Sequence, residues 1–221
     1  MELKRTGLLI KDLYTIAGYG KQYGIVFLFM AVWSAVTKSI SFLTMYTILL
    51  GGMLILSTLS IDENAHFNRY ALTMPVSRRT LLIEKYIALV LFIGVGSLFT
   101  CLIVGGAAAM HLSDGKEELV MILVMTTFFL LSYSITFPII FKYGIEKARY
   151  IYILVTMVMA LVVIGGASAL KLETVSESVM LAGIPAFAAV LALLGICTVI
   201  DAVAVFLSYQ ISLKIVKKRE W

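Results

Sequence analysis

The side chains able to do chemistry are few, and their spacing argues against an enzyme. The chain of 221 residues has two histidines and two cysteines. His66 and His111 are divided by a long apolar stretch that places them on opposite sides of a membrane, so they cannot share a metal. Cys101 and Cys197 lie inside apolar runs and far apart, as packing residues rather than a redox or metal pair. No His-Glu-x-x-His, Cys-x-x-Cys or Gly-x-Ser-x-Gly pattern occurs. The segment "GYGKQYG" from Gly18 to Gly24 lacks the spacing and the hydroxyl of a phosphate-binding loop. ATP-driven work would therefore fall to another chain. One acid, Asp201, stands well inside an apolar run, where an ionisable group is costly and must face protein or water. It reads either as a substrate or proton site or as a hydrogen-bonded lock on its own helix. With no second intramembrane acid to form a relay, the lock is preferred. No catalytic set, metal site or cofactor site emerges.

The elements that carry these residues are apolar and long. Candidate spans are Tyr23–Thr37, Ile40–Ser60, Tyr86–Met110, Leu119–Phe141, Tyr150–Leu170 and Ala189–Ser212. A span needs about 20 apolar residues to cross roughly 30 Å of hydrocarbon. Lipid offers no partner to a backbone amide, so each must be helical. A hydrophobic share of 61% and a mean hydropathy of +1.01 place the chain in the membrane class. The predicted fold class is all-α, a single polytopic domain over residues 1–221 with six transmembrane helices.

Basic residues sit on alternate connections. Lys4, Arg5, Lys11 and Lys21 precede the first span, and Arg69, Arg78, Arg79 and Lys85 follow the second. Lys142, Lys147 and Arg149 follow the fourth, and Lys214, Lys217, Lys218 and Arg219 close the chain. Only Lys38, Lys116 and Lys171 lie elsewhere. Positive charge marks the cytoplasmic side, so both termini are expected inside, in a plasma membrane. The net charge of +5 reflects topology and contact with anionic lipid, not nucleic acid. No cleavable signal peptide is expected, because the first apolar run lacks a small-residue cleavage site.

Three segments outside the spans have expected structure. Residues 1–20 show an apolar arc (Leu3, Leu9, Ile10, Leu13, Tyr14, Ile16, Ala17) opposite Lys4, Arg5, Lys11 and Asp12, the pattern of an interfacial helix with its charges toward headgroups. Gly18 and Gly20 are expected to break it before the first span. The connection 61–85 is too long for a bare link. Asp62 or Asn64 could cap a short helix through His66, Arg69 and Tyr70, Pro75 would end it, and Ser77 would cap the next helix. The result is an elbow with acidic, basic and aromatic side chains. The connection 171–188 reads as an extracellular re-entrant helix or as an early start of the sixth span. Pro138 is expected to kink the fourth span. The glycines at 51–52, 94, 96, 105–106 and 165–166 would permit close helix approach.

With the elbow in place, the chain resembles the permease subunits of ABC-2 type ABC transporters over its whole length. The most specific likeness is Asp62 and Glu63, then "RYALTMPVSRR" from Arg69 to Arg79, then Lys85-Tyr86. Phe67 stands where the family usually has a Trp or similar aromatic residue. By size and loop pattern it is similar to the small permeases of Gram-positive peptide exporters, such as that of the phenol-soluble modulins. The resemblance implies an export subunit for a hydrophobic or amphipathic substrate, including peptides, with no enzymatic activity of its own. It implies a separate ABC ATPase subunit and a second permease, identical or paralogous. It also implies that the elbow is a coupling helix, with Asp62, Glu63, Phe67, Arg69, Tyr70, Arg78 and Arg79 at the ATPase contact. The competing reading is an ion-coupled secondary transporter using Asp201, which lacks paired acids and broken helices.

Overall fold

A computed structural model describes residues 2–37, 40–65, 67, 70, 77–109, 115–169 and 186–218. These form six helices: α1 (Glu2–Thr37), α2 (Ile40–Asn64), α3 (Arg78–Ala109), α4 (Gly115–Tyr143), α5 (Ile145–Ala169) and α6 (Ala186–Lys218). They run alternately up and down. The elbow, the start of α1, the α4–α5 joint and the end of α6 share one end of the bundle, where Lys11 meets Asp62 and Val216 lines one cavity with Leu82. At the other end, the Ser41 hydroxyl donates to Glu118 at 2.8 Å.

Among the described residues, four helices are long and apolar enough to cross a membrane, over Ser41–Asn64, Arg78–Ala107, Glu118–Tyr143 and Leu194–Lys218. The expected first and fifth spans are not among them. The apolar run Tyr23–Thr37 would rise only about 22 Å as a helix, and Lys21 and Gln22 interrupt its extension. The second half of the expected fifth span, Tyr150–Leu170, includes side chains at 164 and 166–170 that lie outside the described ones, so that span is not tested. His66, Arg69, Pro75, His111 and residues 171–185 of the last connection lie outside the described residues.

Three local expectations are corrected. First, α1 passes unbroken through Gly18 and Gly20. A single glycine lowers helix stability by about 1 kcal/mol and does not stop a helix whose other residues favour it. Second, Asp62 and Asn64 belong to the last turn of α2; beyond them Phe67 and Tyr70 are helical, and the other residues of the expected short helix lie outside the described ones. Ser77 does cap as expected: its Oγ accepts from the Thr80 amide at 3.2 Å, and α3 follows at once. Third, close helix approach is confined to part of the glycine set. A Cβ on Gly51 would sit 2.7 Å from the Phe92 carbonyl oxygen, and one on Gly52 would overlap the Tyr133 ring. Gly96 also faces α2, whereas a Cβ on Gly94, Gly105 or Gly106 would meet nothing within 4 Å among the described residues.

The core gathers on α4, which packs against α2, α3, α5 and α6. Phe129, Tyr133 and Phe137 are its largest buried side chains. Helix α4 is continuous through Pro138. Proline has no amide hydrogen, so the Ser134 carbonyl loses its helical donor. The Ser208 hydroxyl supplies the replacement at 2.5 Å, and the Tyr86 hydroxyl bridges Ser208 and Ser212 at 2.6 and 2.8 Å. The proline thus creates the acceptor on which α6 is anchored to α4, and Tyr86 ties α3 to the same point.

Candidate functional site at the elbow

The elbow rests on five ionisable side chains that the bundle brings together from three helices. From α1 come Lys11 and Asp12, from α2 Asp62, and from α3 Glu84 and Lys85. The Lys85 ammonium lies 2.7 Å from Asp12 and 2.7 Å from Asp62. Lys11 donates to the second oxygen of Asp62 at 2.6 Å and lies 3.1 Å from Asp12. Glu84 is buried beside them, 3.7 Å from Lys85, with one oxygen that finds no partner among the described residues. Asp12 is fully buried. Burial alone would raise its carboxyl. The Lys85 ammonium, a hydrogen bond from Glu84 and the charge of Lys11 outweigh it and hold the carboxyl below the ordinary carboxylate range.

This geometry reverses the expected orientation of α1. Ile10, Leu13 and Tyr14 are exposed, while Asp12 is buried. In lipid the solvent is apolar, so the apolar face can remain outside and the charges collect inside, where they meet opposite charges. Lys11 and Asp12 therefore do not point to headgroups. Lys85, counted above as a topological cation, is buried as well.

Glu63 ties the elbow to a fourth helix. Gly144 ends α4 with φ +86°, a left-handed conformation that glycine adopts without strain. Ile145 opens α5, and its amide donates to the Glu63 carboxylate at 2.6 Å. A carboxylate at a helix N-terminus satisfies a free amide and complements the helix dipole. The fit is tight, since a Cβ on Gly144 would lie 2.5 Å from a Glu63 oxygen. Arg149 of α5 reaches back to Ser60 at 3.2 Å.

The other elbow residues divide by exposure. Phe67 is half-buried under the Lys11 ammonium, which sits 3.9 Å from the ring centre. Tyr70 packs at 6.5 Å from Phe67 and is 60% exposed. Arg79 is exposed and Arg78 half-buried, and Arg78 lines a cavity of about 80 Å³ with Glu63, Phe67 and Glu84. The structure thus brings Asp62, Glu63, Phe67, Tyr70 and Arg78 to one place, with Arg79 at its rim. Asp201 lies apart in the apolar bundle, where the Thr127 hydroxyl donates to it at 3.2 Å, the kind of bond expected of a lock.

Sequence reasoning missed Asp12, Glu84 and the inward role of Lys85. One signal was present: Lys11-Asp12 and Glu84-Lys85 are adjacent opposite charges next to apolar runs. Such pairs read as surface charge in water and as internal partners in lipid.

A family model described as ABC-2 family transporter protein matches residues 7–217. No curated protein and no solved structure matches the chain. Members of such a family are membrane transport subunits that normally work with an ATPase subunit. A match over nearly every described residue, on a bundle whose helices are joined at one end by a charged elbow, leads to one conclusion: the chain belongs to the ABC-2 family of transporter proteins.

Proposed function

We propose that this chain is the permease subunit of an ATP-driven exporter. It forms the path for a hydrophobic or amphipathic substrate, including peptides, while a separate nucleotide-binding subunit hydrolyses ATP beneath the elbow. A second permease, identical or paralogous, completes the path, because six spans alone enclose little volume. Both termini and the elbow lie in the cytoplasm, as the distribution of basic residues requires.

The observation that carries this reading is the elbow's attachment. Ion pairs fix it to α1, α2 and α3, and Glu63 fixes it to the start of α5. A force applied there reaches four helices at once, which is what a coupling element must do. Within the elbow, Asp62 and Glu63 act inward as positioning residues. Tyr70 with Phe67 behind it supplies the apolar anchor for the ATPase, and Arg69, Arg78 and Arg79 supply the polar rim. Aromatic anchors carry most docking energy, and rim charges carry little. Family membership gives no support to an ion-coupled mechanism.

Recovery of the ATPase on the tagged permease tests the reading. Tyr70→Ala should lose the ATPase, or uncouple its hydrolysis from transport, with an unchanged melting temperature. Arg79→Ala should have little effect. Full ATPase recovery and full transport in the Glu63→Ala, Tyr70→Ala double variant, correctly inserted, would remove the elbow from the mechanism. For topology, a single cysteine at 78 should resist an impermeant thiol reagent in intact cells, and one at 116 should react.

A further inference from the structure

We infer that the groove between α3, α4 and α6 is a binding site for a lipophilic ammonium, with Asp201 as its counter-ion. The groove has a volume of about 840 Å³. Its walls are stripes of side chains at helical spacing: Ile83, Tyr86, Ile87, Val90 and Leu91 on α3, and Thr198, Asp201, Ala202, Val205, Phe206 and Tyr209 on α6. The α6 stripe covers eleven steps of helix, about 16 Å. Ile83 lies near the elbow end, and Asp201 lies deep in its helix, so the groove runs from that end toward mid-membrane.

Among the described residues, Asp201 is the only carboxyl in this wall. One oxygen has the Thr127 bond, which at 3.2 Å is at the long limit, and the other has no partner among the described residues. A carboxylate in an apolar wall is stabilised by a cation that reaches it. This chain cannot supply one, because the runs Tyr23–Thr37, Ile40–Ser60, Tyr86–Met110, Leu119–Phe141, Tyr150–Leu170 and Ala189–Ser212 contain no Lys or Arg. A second copy has the same spans and brings none either. A neutral acyl chain fills the groove but leaves the acid uncompensated. The occupant that satisfies both features has an apolar body and an ammonium head. Its head would take the unpartnered oxygen of Asp201 or replace the Thr127 hydroxyl. Phe206 and Tyr209, on the same stripe of α6, place aromatic rings along the groove between the elbow end and Asp201.

This inference rests on the permease reading only in taking the ligand as cargo. Binding is measured on the full chain alone, without the ATPase, so loss of elbow docking and loss of the groove site are separate results. The chain is placed in nanodiscs of neutral lipid. The probes are a fluorescent long-chain ammonium and its neutral, N-acetylated counterpart, read by anisotropy against empty discs. Wild type should bind the ammonium saturably and more tightly than the neutral probe. Asp201→Asn should weaken the ammonium about tenfold or more and leave the neutral probe unchanged. Val205→Trp, which fills the groove, should weaken both, and it decides the matter if Asp201→Asn does not fold. Equal ammonium affinity in wild type and Asp201→Asn, or saturable binding untouched by Val205→Trp, would overturn the site.

Discussion

Removing the Lys85 ammonium is the sharpest test of the elbow's foundation. Lys85 touches two carboxylates at 2.7 Å, in a site where Asp12 is fully buried and Asp62 nearly so. At an effective dielectric constant near 20, each contact at that distance is worth about 6 kcal/mol before desolvation. Taking the ions out of water offsets several kcal/mol for each. What remains when one partner is deleted is an uncompensated buried charge, a loss of about 3–5 kcal/mol. Lys85→Met keeps the aliphatic bulk and deletes only the charge. For a chain of this size, the loss corresponds to a fall of roughly 6–20 °C in melting temperature. The measurement is thermal unfolding of the purified chain in detergent. Adding Asp12→Asn to Lys85→Met removes one of the stranded charges and should restore about half the loss. If Lys85→Met melts within about 2 °C of wild type, or if the second substitution restores nothing, the cluster does not hold the elbow.

Three further outcomes follow from named contacts. Ser208→Ala strands the Ser134 carbonyl and should cost about 1–3 kcal/mol; in a Pro138→Ala background, where residue 138 regains its amide, the same change should cost much less in a double-mutant melting cycle. Gly52→Ala drives a methyl into the Tyr133 ring, with an expected penalty of about 1–3 kcal/mol, and Tyr133→Leu should relieve it. Asp12 has a folded-state pKa below its ordinary 3.8, so its contribution to stability is complete above that value and lost as pH falls through the lower folded value. Asp12→Asn should flatten this acid limb in melting curves recorded between about pH 1 and pH 5; an unchanged acid limb would contradict the buried, ion-paired carboxylate.

Several elements were legible in the sequence because their causes are local. Apolar runs of α2, α3, α4 and α6 specify membrane-length helices, since each amide must find its partner within the same segment. Ser77 announces the start of α3, because a cap needs only a hydroxyl three residues before the amide it receives. Other features depend on neighbours distant along the chain. Gly18 and Gly20 permit a break, yet nothing in the fold bends α1 there. Which glycines face another helix depends on packing, so Gly51 and Gly52 are crowded while Gly105 and Gly106 are open.

The division is clearest for charge. The sequence alone determined that basic residues gather on alternate connections, and that Asp201 stands by itself in an apolar run. Tertiary structure alone decided that Lys11 meets Asp62 across 51 residues and that Lys85 meets Asp12 across 73. It likewise decided that Glu63 closes the end of a helix 82 residues away. Periodicity reports which way a side chain leaves its own helix. It carries no record of what waits on the facing helix, and an ion pair exists only where both helices have already packed.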